Sequence, residues 1–232
     1  MIHIYHRDDD LLIVHKPAGL LVHRTSISSD TQAMIQSLRD QIGQRVYPIH
    51  RLDRATSGLM LFGLNKPFHV AMQKLFETRA VHKQYQAVVR GFVDEGLIDY
   101  PLFDERSGRP LPALTGYGAK LKFELPEPSS IHDTSRYTWV EVRPETGRHH
   151  QIRRHFAHVR HPIVGDTVHG DGWHNRFFRR RFQAHFLFLA ATGIHFLDPR
   201  TAQPFQLAVG VNEQFQAVLD ALKPYAVSSS TT

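Results

Sequence analysis

The chain of 232 residues contains no cysteine, which excludes disulfide scaffolds, thiol nucleophiles and thiolate metal sites together. No apolar run approaches the roughly 20 residues that span a bilayer, so no membrane partner is expected. Residues 1–10, MIHIYHRDDD, lack the basic region, hydrophobic stretch and small-residue cleavage site of a secretory leader, and the expected location is the cytoplasm. Gly-rich phosphate loops, an H-E-x-x-H helix and a nucleophile elbow are also missing. Nucleotide hydrolysis, hydride transfer and Ser–His–Asp hydrolysis therefore have no motif to rest on.

Arginine is abundant. Lys and Arg number 28 against 22 Asp and Glu, a net charge of +6. Between Arg143 and Phe182 nine arginines face three acids (Glu145, Asp166, Asp171), with Phe156, Trp173, Phe177, Phe178 and Phe182 interleaved. Planar guanidiniums beside aromatic rings suit phosphate and base contacts better than a plain solvated face. His149, His150, His155, His158 and His161 offer no convergent metal-ligand spacing. No metal is expected, and most of these histidines read as RNA-contacting or surface residues.

The 41% hydrophobic content supports one large core or two small ones. Leu11–Val14, Leu59–Leu64, Lys83–Gly91 and Tyr137–Arg143 read as strands, the third placing Tyr85, Ala87 and Val89 on one face. Helices are expected after Asp30 or Thr31, closed by Gly43; after Asn65, with Phe68, Ala71, Met72, Leu75 and Phe76 as a stripe; over His149–Val159; and after Asn212, with Phe215, Val218, Leu219 and Leu222. Residues 94–135 read as loop-rich around one strand near Tyr117–Phe123, and Phe186–Phe196 as an apolar run. With no dividing linker or repeat, residues 1–225 are expected to form a single domain and 226–232 a disordered tail.

The stretch His50–Leu61, HRLDRATSGLML, sets one carboxylate, Asp53, between Arg51 and Arg54 ahead of a Thr56-Ser57-Gly58 turn and a strand. A lone Asp of this kind is by default a turn residue bonded to nearby N–H groups. Placed at a sheet end, it has the alternative reading of a reactive group held on a rigid support. The stretch alone leaves both readings open.

His50-Arg51-Leu52-Asp53-Arg54-Ala55-Thr56-Ser57-Gly58 resembles the signature of the RluA-type pseudouridine synthases. Three further segments agree in order: His15-Lys16-Pro17-Ala18-Gly19, with His15 for the usual Asn; Lys83-x-Tyr85-x-Ala87-x-Val89-x-Gly91; and Thr146-Gly147-Arg148-x-His150-Gln151-Ile152-Arg153-x-His155, followed by His161-Pro162-Ile163-x-Gly165-Asp166. Ala190 stands where relatives often carry His. Leu21-Val22-His23-Arg24, Arg39–Gln44 and Arg153–Ile163 are similar to the subgroup acting on tRNA uridine 65. The start of the chain is read as leaving no room for the small N-terminal RNA-binding domain of several ribosomal-RNA relatives.

The resemblance implies an α+β fold with a mixed, mainly antiparallel sheet flanked by helices and loops and a central RNA-binding cleft. It implies isomerisation of uridine to pseudouridine without a cofactor, in tRNA or alternatively in rRNA, with no obligatory protein partner. Carried over residue by residue, Asp53 is the catalytic carboxylate. Arg153 is its ionic partner, with Arg148 as the alternative, and Tyr85 stacks on the uracil. RNA contacts fall to Arg51, Arg54, Arg148, His150, Arg154, Arg176, Arg179, Arg180 and Arg181, and pocket-lining to Leu52, Ile163 and Leu189. A non-catalytic RNA-binding protein remains the rival from another class.

Overall fold

The structure is a computed structural model that describes residues 1–20, 34–105, 107–129 and 132–227. Its strands are β1 (Ile4–Arg7), β2 (Leu11–Lys16), β3 (Tyr47–Pro48), β4 (Ser57–Gly63), β5 (His82–Arg90), β6 (Glu95–Asp99), β7 (Leu102–Phe103), β8 (Pro110–Leu111), β9 (Leu114–Leu125), β10 (Ser135–Pro144), β11 (Leu189–Leu197), β12 (Pro204–Ala208) and β13 (Ala226–Val227). Its helices are α1 (Met34–Ile42), α2 (Lys66–Glu77), α3 (Gln151–His158), α4 (Gly172–Phe182) and α5 (Glu213–Leu222). No helix among the described residues is long and apolar enough to cross a membrane. The expected α+β class, with a mainly antiparallel sheet and flanking helices, is what the chain forms. These elements group into two compact units, residues 1–83 with 190–210, and residues 84–189 with 211–232.

In the first unit the strand order is β1-β2-β4-β11, with β3 against β4 and β12 against β11. Leu11–Val14 and Leu59–Phe62 are buried at every position, as expected for strands covered on both faces. One face, Leu12, Val14, Met60 and Phe62, packs on Met34, Ile35 and Leu38 of α1. The caps proposed for α1 at Asp30 or Thr31, and the Leu21-Val22-His23-Arg24 motif, lie outside the described residues. Its other end agrees with expectation, the Gly43 N–H bonding the Arg39 carbonyl at 2.9 Å. Helix α2 starts as its sequence requires: the Asn65 side chain accepts from the Phe68 N–H and Pro67 occupies the first turn, where it forfeits no helical bond.

One expectation fails here. Thr56-Ser57-Gly58 is not the turn; β4 already begins at Ser57, and the turn is one step earlier, closed by the Thr56 N–H on the Asp53 carbonyl at 3.1 Å. Gly58 serves a different need. Its φ is +113°, and an added Cβ would lie 2.1 Å from the Ala191 carbonyl oxygen on the parallel neighbour β11. The glycine is there to admit a backbone rather than to reverse the chain.

In the second unit β5, β10, β9 and β13 form a run of antiparallel pairs with β6 alongside β9. The stretch expected to be loop-rich thus carries β6, the β7–β8 pair and a twelve-residue β9. Ala226 and Val227, assigned to the tail, pair instead with Phe123 and Lys122; residues 228–232 lie outside the described set. Helix α5 is capped by Asn212 on the Phe215 N–H and buries Phe215, Val218, Leu219 and Leu222, matching the sequence reading. Helix α4, not foreseen, is capped by Asp171 and buries Phe177 and Phe178 against Tyr137.

Candidate active site

Asp53 stands in the first unit on the loop between β3 and β4, half-buried, with Leu52 buried before it and Arg51 exposed. The loop is tied down by Lys16, a lysine with no exposed surface. Its ammonium donates to the carbonyls of Pro17 (3.1 Å), Arg54 (3.0 Å) and Thr56 (2.8 Å). All three of its protons are used, two of them on the turn that presents Asp53. Burial pushes the Lys16 pKa down to about 8, against the pull of the Asp53 charge. Arg54, expected to touch RNA, also has a local task, its Nε donating to the Gly19 carbonyl at 2.9 Å.

His50 opens the loop. Its Nε2 accepts the Leu61 N–H at 3.2 Å, and its ring stacks on Phe76 with centroids 5.0 Å apart. Burial pushes its pKa down to about 4, so the ring is neutral.

In the second unit Tyr85 lies half-buried on β5, opposite Val142 of β10. Arg153 projects from α3 and is 4% exposed, although it lies off the apolar stripe of Ile152 and Phe156. Asp166 is the reason: it accepts from Arg153 Nε at 2.7 Å and Nη2 at 2.8 Å, a bidentate pair. The second oxygen of Asp166 also takes the N–H groups of Val168 and His169, each at 2.9 Å. Burial pushes this carboxyl up, but Arg153 and those two amides hold it below the ordinary carboxylate range. Asp166 was visible in the sequence only as a member of the loop motif, without a role.

Helix α3 is shorter than its hydrophobic pattern suggested. His149 and His150 precede it, and His150 takes a left-handed backbone, φ 52°, as its N-cap. The His150 Nδ1 meets His169 Nε2 at 3.0 Å. Gln151, which the sequence showed only as a member of the Thr146–His155 motif, fixes the loop before the helix. It accepts from the Thr146 hydroxyl (2.6 Å) and the Arg148 N–H (3.0 Å), and donates to the Leu114 carbonyl and the Thr115 hydroxyl. His155 is not a surface residue as expected; it is fully buried between the Thr115 hydroxyl and the Tyr100 carbonyl.

The remaining cations divide by surroundings. Arg148 and Arg154 donate to the carbonyls of Pro112 and Phe103. Arg176, Arg179 and Arg180 are exposed along α4, and Arg181 is held by Glu127 and the Tyr225 hydroxyl. Ile163 and Leu189 are buried, Ile163 bridging to Val89.

Residues 10–158 match the family model described as RNA pseudouridylate synthase. The chain belongs to that family. Among its relatives are proteins named tRNA pseudouridine synthase C: that of Vibrio cholerae is 43% identical over 231 residues, covering 94% of this chain and 95% of the relative. That of Haemophilus influenzae is 40% identical over 232 residues, covering 95% and 97%. In fold the chain is similar to the solved human RNA Pseudouridylate Synthase Domain Containing 4, with TM-score 0.73, 22% identity and coverage of 95% and 93%, and to Domain Containing 1, with TM-score 0.72, 21% identity and coverage of 96% and 95%. As a family member the chain is an isomerase that forms pseudouridine in RNA.

Proposed function

We propose that the chain converts a uridine of tRNA to pseudouridine, that the target is uridine 65 in the T-stem, and that Asp53 is the carboxylate acting at the ribose. The observation that carries the tRNA assignment is the similarity, over nearly the whole chain, to relatives named tRNA pseudouridine synthase C. The choice of nucleotide rests on the subgroup motifs around Arg39–Gln44 and Arg153–Ile163.

The reaction breaks the bond from uracil N1 to C1′, turns the base, and joins C5 to the same carbon. The C5 proton is lost and N1 ends protonated. Electrons balance without an oxidant or reductant, so the chemistry calls for a carboxylate, a cation that keeps it ionised and a surface for the loosened base. Asp53 supplies the first, Arg153 the second and Tyr85 the third. The Lys16 anchor supports Asp53 in this role, since a reacting group must be held to within a fraction of an ångström. The Asp166 pair does the same for Arg153. Leu52, Ile163 and Leu189 give apolar support under the base.

To reach such a site a paired base has to leave its helix, at a cost of roughly a few kcal/mol. Arg51, Arg54, Arg148, Arg154, Arg176, Arg179, Arg180 and Arg181 offset that cost through phosphate contacts, with the ring of His150 as a further RNA contact.

The test is release of tritium from C5-labelled uridine in transcripts of tRNA, of tRNA with cytidine at position 65, and of rRNA. Wild type is expected to act on the first alone. Asp53→Asn is expected to bind tRNA with unchanged affinity and release nothing. Turnover by that variant would remove Asp53 from the chemistry, and release from the cytidine-65 or rRNA transcripts would redirect the substrate assignment.

A further inference from the structure

His50 sits where a ladder of backbone bonds stops. Strand β3 pairs with β4 through Tyr47 with Gly63 and Pro48 with Phe62, and the next bond in the series, the Ile49 N–H on the Leu61 carbonyl at 3.0 Å, is still made. In a regular antiparallel ladder the Leu61 N–H would return to the Ile49 carbonyl. It goes instead to the imidazole Nε2 of His50. The side chain substitutes for the backbone acceptor, so the main chain can leave the sheet at this residue without stranding an amide. Three residues later it presents Asp53.

The ring is held on its other sides too. Phe76 of α2 stacks on it at an interplanar angle of 16°. A backbone hydrogen bond with Arg51 favours the charged ring, so there a ring N–H donates. With Nε2 accepting, the donor is Nδ1, and only the neutral Nδ1–H tautomer satisfies both bonds. A protonated ring would turn a second N–H toward the Leu61 amide. The Lys83 cation acts on the ring and opposes its protonation.

We propose that His50 is a positioning residue for the isomerisation: as a neutral Nδ1–H imidazole accepting the Leu61 amide, it sets the point at which the chain leaves β4's edge and thereby fixes where Asp53 stands. The inference rests on Asp53 as the reacting carboxylate. Gln provides an acceptor at about the reach of Nε2, whereas Phe keeps the ring, its volume and its stacking on Phe76 but has no acceptor. An error of about 1 Å in a reacting group costs on the order of 10²-fold in rate.

The experiment measures kcat and KM for tRNA with wild type, His50→Phe, His50→Gln and Asp53→Asn, alongside tRNA binding and melting temperature. His50→Phe is expected to lose on the order of 10²-fold in kcat with KM and binding unchanged, and His50→Gln to regain most of that loss. Wild-type kcat in His50→Phe would overturn the proposal, as would losses in both variants that track melting temperature or binding. Activity in Asp53→Asn would instead overturn the reading on which it rests. Independently of any variant, nitrogen NMR of the wild-type protein is expected to show His50 as the Nδ1–H tautomer with no titration between pH 8 and pH 5. An Nε2–H tautomer, or titration in that range, would sink the idea.

Discussion

Lys16 buries its ammonium completely and uses every proton on a carbonyl. Its depressed pKa has a definite sign. The unfolded chain binds this proton more tightly than the folded one, so this group makes the fold more stable as pH rises from about 8 toward the unfolded value of 10.5. The neutral amine, however, has two protons for three carbonyls, and the loop around Asp53 loses one anchor. We expect Lys16→Met to lower the unfolding free energy by about 2–4 kcal/mol, the scale of several buried acceptors left unpaired. Turnover is expected to fall by more than that loss of folded protein explains. Chemical denaturation together with single-turnover rates on tRNA checks both. The lysine was legible as part of the His15–Gly19 motif, but its role was not, because its partners at Arg54 and Thr56 lie about forty positions away. Arg153 presents the same difficulty: off the apolar stripe of α3, it is buried only because Asp166, on a later loop, turns to meet it.

At the scale of elements, helices with a cap and an apolar stripe were legible to within a residue or two, as α5 after Asn212 and α2 after Asn65 demonstrate. Helix α4 was not, although Asp171 caps it, because its arginines masked a narrow buried face made of His174, Asn175, Phe177 and Phe178. A buried His–Tyr bond, His174 Nδ1 to the Tyr137 hydroxyl at 2.7 Å, does work that periodicity cannot register. The misplaced turn at Thr56–Gly58 has a similar origin. Glycine signals a need for space or for positive φ, and sequence does not say which. At Gly58 both apply, and the obstructing atom is backbone. Gly58→Ala is therefore expected to cost about 2–4 kcal/mol through strain and forced separation of β4 from β11. Urea unfolding will measure it, and a variant within 0.5 kcal/mol of wild type would contradict the account.

For the molecule as a whole, two histidines, one in each unit, carry pKa values pushed down to about 4 by burial: His50 and His174. Burial also lowers His15, His155 and His169. Each is neutral in the fold and binds a proton near pH 6.5 once unfolded. This contribution is thus fully present above about 6.5 and is lost as pH falls toward 4, the carboxylates adding their own loss only below about pH 5. Two such groups give a slope of up to about 2.7 kcal/mol per pH unit. Melting curves at pH 7.0 and pH 5.0 should show the drop, and His174→Gln should shrink it by roughly half the two-residue share. A flat profile would mean that these rings are not the neutral species described.

The first unit is discontinuous in the chain: residues 1–83 are completed by 190–210, and Arg200 seals the join by gripping Asp8, Asp10 and Asp198. During synthesis this imposes an order of events. Strand β4 leaves the ribosome with its parallel neighbour β11 still to be translated, a wait of roughly ten seconds at ordinary elongation rates. For that interval one edge of β4 is covered only at Phe62 and Gly63, by β3, while its Ser57–Gly58 end, beside the Asp53 loop, stays bare until Ala190 and Ala191 are made. The sheet that carries the Asp53 loop is complete only once residues 190–210 have been made.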